Sequence, residues 1–276
     1  MKSKSINKII TAALVFGLIA STAACGSSTV GKDSTVSTQT TAVGNSSKKE
    51  IVKIAYLPLT HALPIFVENE LQQKVGENYE IQLIKYGSWP ELMDALSTGH
   101  VDGASVLIEL AMKAKEQGIG VKAVALGHKD GNVVVVSNKI NSVTDLKGKT
   151  FAIPHRQSSH NILLGQMLKN AGLTYKDLNV VELAPPEMPA ALAQGQVDGY
   201  SVAEPFGAKS VALKTGKVLF ESNELWKDSI CCSLVLSDSF INNKHDIAKK
   251  VVANYSEAGK YIGEHKEEAD TIAKNI

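Results

Sequence analysis

From residue 51 onward the apolar positions alternate between two periods. Short runs of Val, Ile and Leu bounded by Gly, Pro or polar residues predict strands at 52–57, 79–86, 102–107, 121–126 and 132–137. A second set is predicted at 150–153, 180–183, within 195–205, at 217–220 and at 231–236. Between them, residues spaced by three and four predict helices. Leu63, Phe66, Val67 and Leu71 form one such stripe, Leu92, Met93 and Leu96 another, and Ile247, Val251, Val252 and Tyr255 a third. The punctuation agrees: Thr60 stands at an N-cap position, Pro90 in a first helical turn, Gly172 at a helix end, and Pro185-Pro186 at another start. Strand, helix, strand, helix is the mark of a largely parallel sheet covered on both faces.

One stretch occurs twice. Gly99-His100-Val101-Asp102-Gly103-Ala104-Ser105-Val106 returns ninety-six residues later as Gly195-Gln196-Val197-Asp198-Gly199-Tyr200-Ser201-Val202. Gly, Val, Asp, Gly, Ser and Val keep their places. Each copy follows a helix carrying Ala-Leu and is followed by a glutamate, Glu109 or Glu204. A match at this distance predicts two similar α/β lobes in one chain. The expected division places residues 51–137 and 231–276 in lobe I and 138–230 in lobe II. The chain then crosses between lobes twice, near Ser137 and near Cys231.

The first fifty residues do not share this pattern. Lys2, Lys4 and Lys8 precede an apolar run, 9–20, that is too short to span a bilayer comfortably, and small residues follow. This predicts a signal peptide over 1–24. Thr22-Ala23-Ala24-Cys25 resembles a bacterial lipobox, with Thr22 where leucine is usual, so Cys25 is the expected lipidated residue. Residues 25–50 are rich in Ser, Thr, Gly and Lys and are expected to form a flexible tether. The expected location is therefore the outer face of a bacterial membrane, with the lipid supplying the affinity.

Composition narrows the function. The chain has 276 residues, 44% apolar and 21% charged, enough for two cores. Its net charge is +1, and the three N-terminal lysines account for more than that, which argues against nucleic acid as a partner. No Gly-x-Ser-x-Gly, phosphate-cradling glycine loop or paired histidine on a helix face is present, so no catalytic residue is assigned. No cofactor or metal site is expected either. His155 and His160 lack a third ligand nearby in sequence, and Cys231 and Cys232, adjacent in a predicted strand, should point to opposite faces.

Ligands of open parallel sheets sit beyond the carboxyl ends of the strands. In the first lobe those positions hold Thr60, His61 and Trp89; in the second they hold Arg156, Ser158, Ser159, His160 and Glu204. The start of the helix at Ser158–His160 suits an anion, and Arg156, the chain's one arginine, would add a bidentate contact. Ser158 as a simple cap and Trp89 as a packing residue are the competing readings.

From Ile51 on, the chain resembles the extracytoplasmic substrate-binding proteins of ABC importers, in the nitrate, sulfonate, taurine and bicarbonate branch that also includes binders of thiamine-pyrimidine precursors. The matching pieces are Trp89 with Leu92 ahead of Gly99–Ala104, Leu146-Lys147-Gly148-Lys149, and Ser159-His160-Asn161. They continue with Pro185-Pro186-Glu187-Met188 leading to Gly195–Tyr200, and Glu204-Pro205-Phe206. The resemblance implies a periplasmic-binding-protein-like α/β fold of type II: two lobes with mainly parallel sheets joined by a two-segment hinge. It also implies anion-site roles for Trp89, Asn132 and His160. The lysine those relatives use further on has no counterpart; Ile230, Cys231 and Cys232 stand there instead. The implied partners are a small solute and a membrane permease that a monomer of this chain would serve. Alternatives are import of a thiamine-pyrimidine-type heterocycle, or an enzyme on the same scaffold, a class that acts in the cytoplasm and lacks an export signal.

Overall fold

The structure is a computed structural model, and it describes residues 49–276. The signal peptide, Cys25 and nearly all of the tether therefore lie outside the described residues; Glu50, expected to close the tether, opens the first strand.

The first lobe begins with β1 (Glu50–Tyr56), α1 (Leu63–Val75), β2 (Tyr79–Lys85), α2 (Trp89–Ser97), β3 (Gly103–Leu107), α3 (Ile108–Glu116) and β4 (Val121–Leu126). The second holds β5 (Asn132–Ser137), β6 (Thr150–Ile153), α4 (Ser159–Asn170), β7 (Asn179–Glu182), α5 (Met188–Ala193), β8 (Gly199–Ala203), α6 (Phe206–Ala212), β9 (Gly216–Glu221) and α7 (Ser222–Leu225). The chain then returns to the first lobe with β10 (Cys232–Ser237), α8 (Asp238–Asn243), α9 (His245–Glu264) and α10 (Lys266–Ala273). Among the described residues no helix is long and apolar enough to cross a membrane.

The two sheets have the same plan. Strand order is β2-β1-β3-β10-β4 in one and β7-β6-β8-β5-β9 in the other. In each, one strand runs against its neighbours: β10 is antiparallel to β3 and β4, and β5 to β8 and β9. These are the two strands that arrive from the opposite lobe, which is why their direction is reversed. The sheets are thus mixed, each mainly parallel with a single antiparallel member.

This swap moves one expected boundary. Residues 132–137 were assigned to the first lobe because the polar break falls after them. Instead β5 is an interior strand of the second sheet, buried from Asn132 to Val136. A fully apolar strand must be covered on both faces, and only the β8–β9 gap supplies that cover. The crossovers are therefore residues 127–131 and 226–231. They run side by side: Lys129 and Ile230 form an antiparallel bridge, Gly127 N–H donates to the Cys232 carbonyl at 3.0 Å, and Asp130 N–H donates to the Ser229 carbonyl at 2.8 Å.

Three apolar clusters hold the chain. One lies under α1 and α9 in the first lobe, with Val52, Ile54, Ile65, Val251 and Tyr255. A second lies under α4, with Val134, Phe151, Leu164 and Met167. The third spans both lobes, joining Trp89, Leu107 and Cys231 to Val133, Tyr200 and Ala203. Its continuity across the crossovers places the strand tips of the two lobes face to face.

Candidate functional site

Thr60 follows the tip of β1 and opens a single turn of 3-10 helix. Its backbone N–H and its hydroxyl both donate to the carbonyl oxygen of Glu204, at 2.9 and 3.2 Å. Glu204 sits just beyond the tip of β8, so the two lobes are latched across the gap. Its carboxylate accepts the Ala208 N–H at 2.8 Å within the first turn of α6.

Behind this latch lies a polar interior. Asn132, the first residue of β5, has no solvent exposure, and neither amide atom has a hydrogen-bond partner among the described residues. His160, in the first turn of α4, is 1% exposed with both ring nitrogens unpartnered. Burial pulls its pKa down to about 4, so its imidazole is neutral at physiological pH. The Trp89 indole N–H, at the start of α2, is likewise buried and unpaired. Buried polar groups are rarely left without partners, so a group of orphans on facing elements marks a place where something polar is meant to sit. A pocket of about 300 Å³ opens at Trp89, between it, Met93 and Leu110 of the first lobe and His155 and Gln157 of the second.

The gap also contains His61, expected from its strand-end position, together with groups to which that rule assigned no role. His61 is buried, and its Nε2 lies 3.1 Å from the Gly131 carbonyl, which holds the ring in place. Its ring stacks on His128 with centroids 3.6 Å apart. Burial lowers the His61 pKa. The sulfurs of Cys231 and Cys232 converge here, contrary to the expectation of opposite faces. Cys231 precedes β10 and belongs to the crossover, so the strand's alternation does not govern it. Ser159 Oγ–H donates to Cys231 Sγ at 3.1 Å. Burial resists ionisation of Cys231, but the Cys232 thiol and the imidazoles of His160, His61 and His128 outweigh it and hold this thiol well below the usual range. Cys232 is pushed well up by Cys231 and by burial. Glu109, at the start of α3, is raised to about 7 by burial and has an unpartnered Oε2.

Two expected residues lie apart from this group. Arg156 is exposed, and its guanidinium donates to the Val180 carbonyl at 3.1 Å, beside Tyr175 and Leu178. Ser158 is the N-cap of α4: its hydroxyl accepts the Asn161 N–H at 3.2 Å and donates to the His155 carbonyl at 2.6 Å. The structure therefore gathers His61, Asn132, Ser159 and His160 in the buried interior, with Trp89 beside the adjoining pocket and Thr60 at its latch. Of the residues missed, His128 and Cys231 lie on the two crossovers and Cys232 begins β10. Only the paired cysteines beside a predicted hinge gave any sign of them.

Residues 45–276 match the model of the NMT1-like family. The chain belongs to that family. A ligand-binding component of an ABC-type import system from Staphylococcus aureus, solved with zinc bound, superposes with a TM-score of 0.77 at 38% identity, covering 82% of this chain and 79% of that one. The nitrate-binding protein NrtA of Synechocystis shares the fold, with a TM-score of 0.73 at 19% identity over 82% of this chain and 66% of that one. In sequence, a putative aliphatic sulfonates-binding protein of Escherichia coli is 26% identical over 69% of this chain and 60% of its own length. The nitrate/nitrite binding protein NrtA of Nostoc is 25% identical over 81% of this chain and 57% of its own. The chain spans from 37% to 60% of the first curated relatives it matches. The Staphylococcus aureus protein is by name the ligand-binding component of an import system, the Escherichia coli and Nostoc proteins are named for the solutes they bind, and the two-lobed fold described above is shared with the solved ones.

Proposed function

We propose that the chain is the solute-binding component of an ABC importer. It takes a small polar solute into the gap between its lobes outside the membrane and delivers it, as a monomer, to a permease whose ATP hydrolysis is done by other chains. The observation that carries this reading is the set of buried, unpartnered groups at facing strand and helix ends: the Asn132 amide, the His160 imidazole and the Trp89 indole. Both lobes contribute, so a ligand bound to all of them favours the closed arrangement in which Thr60 reaches Glu204.

A small oxyanion, such as a sulfonate or a nitrate- or bicarbonate-like ion, is the proposed solute. It would be held by neutral donors: the Asn132 and Trp89 N–H groups and the unpaired N–H groups that begin α4. A thiamine-pyrimidine-type heterocycle is the second reading, favoured by the Asn132 oxygen, which is unpartnered as well and asks for a donor on the ligand. Catalysis on this scaffold has no comparable support, since the relatives' names are those of binding and import proteins. Attachment through a lipidated Cys25 completes the proposal.

A thermal-shift screen over nitrate, bicarbonate, taurine, alkanesulfonates and pyrimidines tests it, because a specific ligand raises apparent stability by mass action. A shift with one anion class supports the first reading and a shift with pyrimidines alone the second. No shift with any of them rejects both. Mass spectrometry of the native N-terminus tests the anchor: an unmodified Cys25 rejects it.

A further inference from the structure

We propose that His61, His128, Cys231 and Cys232 form a binding site for one thiophilic divalent cation of the Zn²⁺ type, set where the two crossovers meet. One ligand atom from each of the four lies within 4.8 Å of every other. In a tetrahedral site with metal–sulfur bonds of about 2.3 Å and metal–nitrogen bonds of about 2.0 Å, the ligand atoms stand roughly 3.3–3.8 Å apart. The four side chains thus need to draw in by about an ångström, within the reach of χ rotations. Two thiols and two imidazoles are the donor set that soft and borderline metals take, and one that Mg²⁺ or Ca²⁺ does not select.

The surroundings fit that role. His61 Nε2 is committed to the Gly131 carbonyl, so Nδ1 is the nitrogen left to ligate, and it already stands 3.8 Å from Cys232 Sγ. A backbone carbonyl on the far nitrogen is the usual second partner of a metal-bound histidine. Ser159 donates to Cys231 Sγ, orienting that sulfur as an acceptor. Three of the four side chains are buried and His128 is half-buried, which keeps water out while leaving an approach.

If the four residues merely packed, stacked imidazoles on apolar sulfurs would suffice. Packing alone gives no reason for donors from three separate segments, one from lobe I and two from the crossovers, to converge on a single point. A metal there would clamp the crossovers together. This inference is independent of which solute occupies the gap.

The test is a titration of the reduced full chain, held in detergent and freed of thiol reagent and metal, with Co²⁺ and then Zn²⁺. One equivalent of Co²⁺ should produce the visible bands of a tetrahedral ion and a sulfur-to-cobalt charge-transfer band, both abolished by Zn²⁺. Cys231→Ser should remove about half of the charge-transfer intensity and weaken binding at least tenfold, and replacing both cysteines with serine should abolish the band. His128→Ala, at a half-buried position, should weaken binding comparably while far-UV circular dichroism stays unchanged. The inference is overturned by an octahedral spectrum, by absence of bands while both thiols react freely, or by a charge-transfer band that Cys231→Ser leaves undiminished. Solute shifts measured in metal-free protein with chelator present keep the two questions apart, since either result can fail without the other.

Discussion

Asp102 and Asp198 make the same three hydrogen bonds in the two lobes. Asp102 Oδ2 accepts the Lys53 N–H at 2.8 Å, its own N–H donates to the Lys53 carbonyl at 2.9 Å, and its carbonyl accepts the Ser237 N–H at 2.9 Å. Asp198 repeats this with Thr150 at 3.1 and 2.8 Å and with Ser137 at 2.8 Å. Each aspartate therefore ties the start of a central strand to its parallel neighbour, β1 or β6, and to the antiparallel strand from the other lobe. The glycine that follows is required by close approach: a Cβ on Gly103 would stand 2.7 Å from the Val235 carbonyl oxygen, and one on Gly199 3.0 Å from that of Val135.

Matched substitutions should therefore cost matched amounts. Asp102→Ala and Asp198→Ala are each expected to lower unfolding stability by about 1–2 kcal/mol, the value of a lost charge-assisted bond to backbone. Gly103→Ala should cost more, because the obstacle includes backbone that cannot yield. Urea unfolding of the four single variants, with Gly199→Ala as the fourth, checks this. A strong effect in one lobe with none in the other would break the equivalence.

Closure should depend on Thr60. Thr60→Pro removes both donors to the Glu204 carbonyl. The residue opens a helical turn, where proline is tolerated, and Leu59 before it is already extended at φ −123° and ψ 147°. Losing roughly 1–2 kcal/mol of closed-state stabilisation predicts a loss of solute affinity of about five- to thirtyfold. Small-angle scattering should show a larger radius of gyration without solute than the unaltered protein has.

Asn132 and Arg156 should separate cleanly. Asn132→Ala removes an amide that is buried without partners, so stability without solute should be unchanged or about 1 kcal/mol higher, while solute binding falls by at least tenfold. Arg156→Ala should leave affinity within a factor of about two, because its guanidinium is spent on the Val180 carbonyl at an exposed site. Isothermal titration of both variants with the solute found by the screen decides. A large loss in Arg156→Ala would restore it to the anion site.

The contribution of Glu68 to stability should fall as pH rises through the range where the unfolded chain's carboxyls ionise. Glu68 is fully buried; burial raises its pKa well above the ordinary value, and the Tyr79 hydroxyl donates to it at 3.2 Å. The folded protein thus retains a proton that the unfolded chain releases from about pH 4.3 upward, so this group's contribution is complete below that value and declines above it. Glu68→Gln should raise the melting temperature at pH 8 and leave it unchanged at pH 4. Equal effects at both pH values would show that Glu68 is not the titrating group.

The alternation of apolar periods, the caps and the duplicated Val-Asp-Gly stretch were enough to read most of the strands, the long helices and the presence of two like lobes. These are local signals, carried by residues within a few positions of one another. Strand ends 121–126, 132–137 and 150–153 fell where expected because each is an apolar run closed by a polar or proline residue. The short helices α7 and α8 were not anticipated, being four and six residues long with too little length to show a period.

Which sheet a strand joins is not a local property. The run Val133–Val136 reads the same in either lobe, and the place left for an antiparallel strand between β8 and β9 put it in the second. The candidate site divides in the same way. Strand-end position picked out Thr60, His61, Trp89, Ser159 and His160, and likeness to known binders picked out Asn132. That Arg156 faces outward, that Glu204 offers its carbonyl to Thr60, and that His61 and His128 meet Cys231 and Cys232 follow from contacts between residues 24 to 171 positions apart. The amino-acid order determined two like α/β lobes with polar strand tips. The packing of the crossovers against each other decided which of those polar groups were buried together, because burial and pairing are set by neighbours in space.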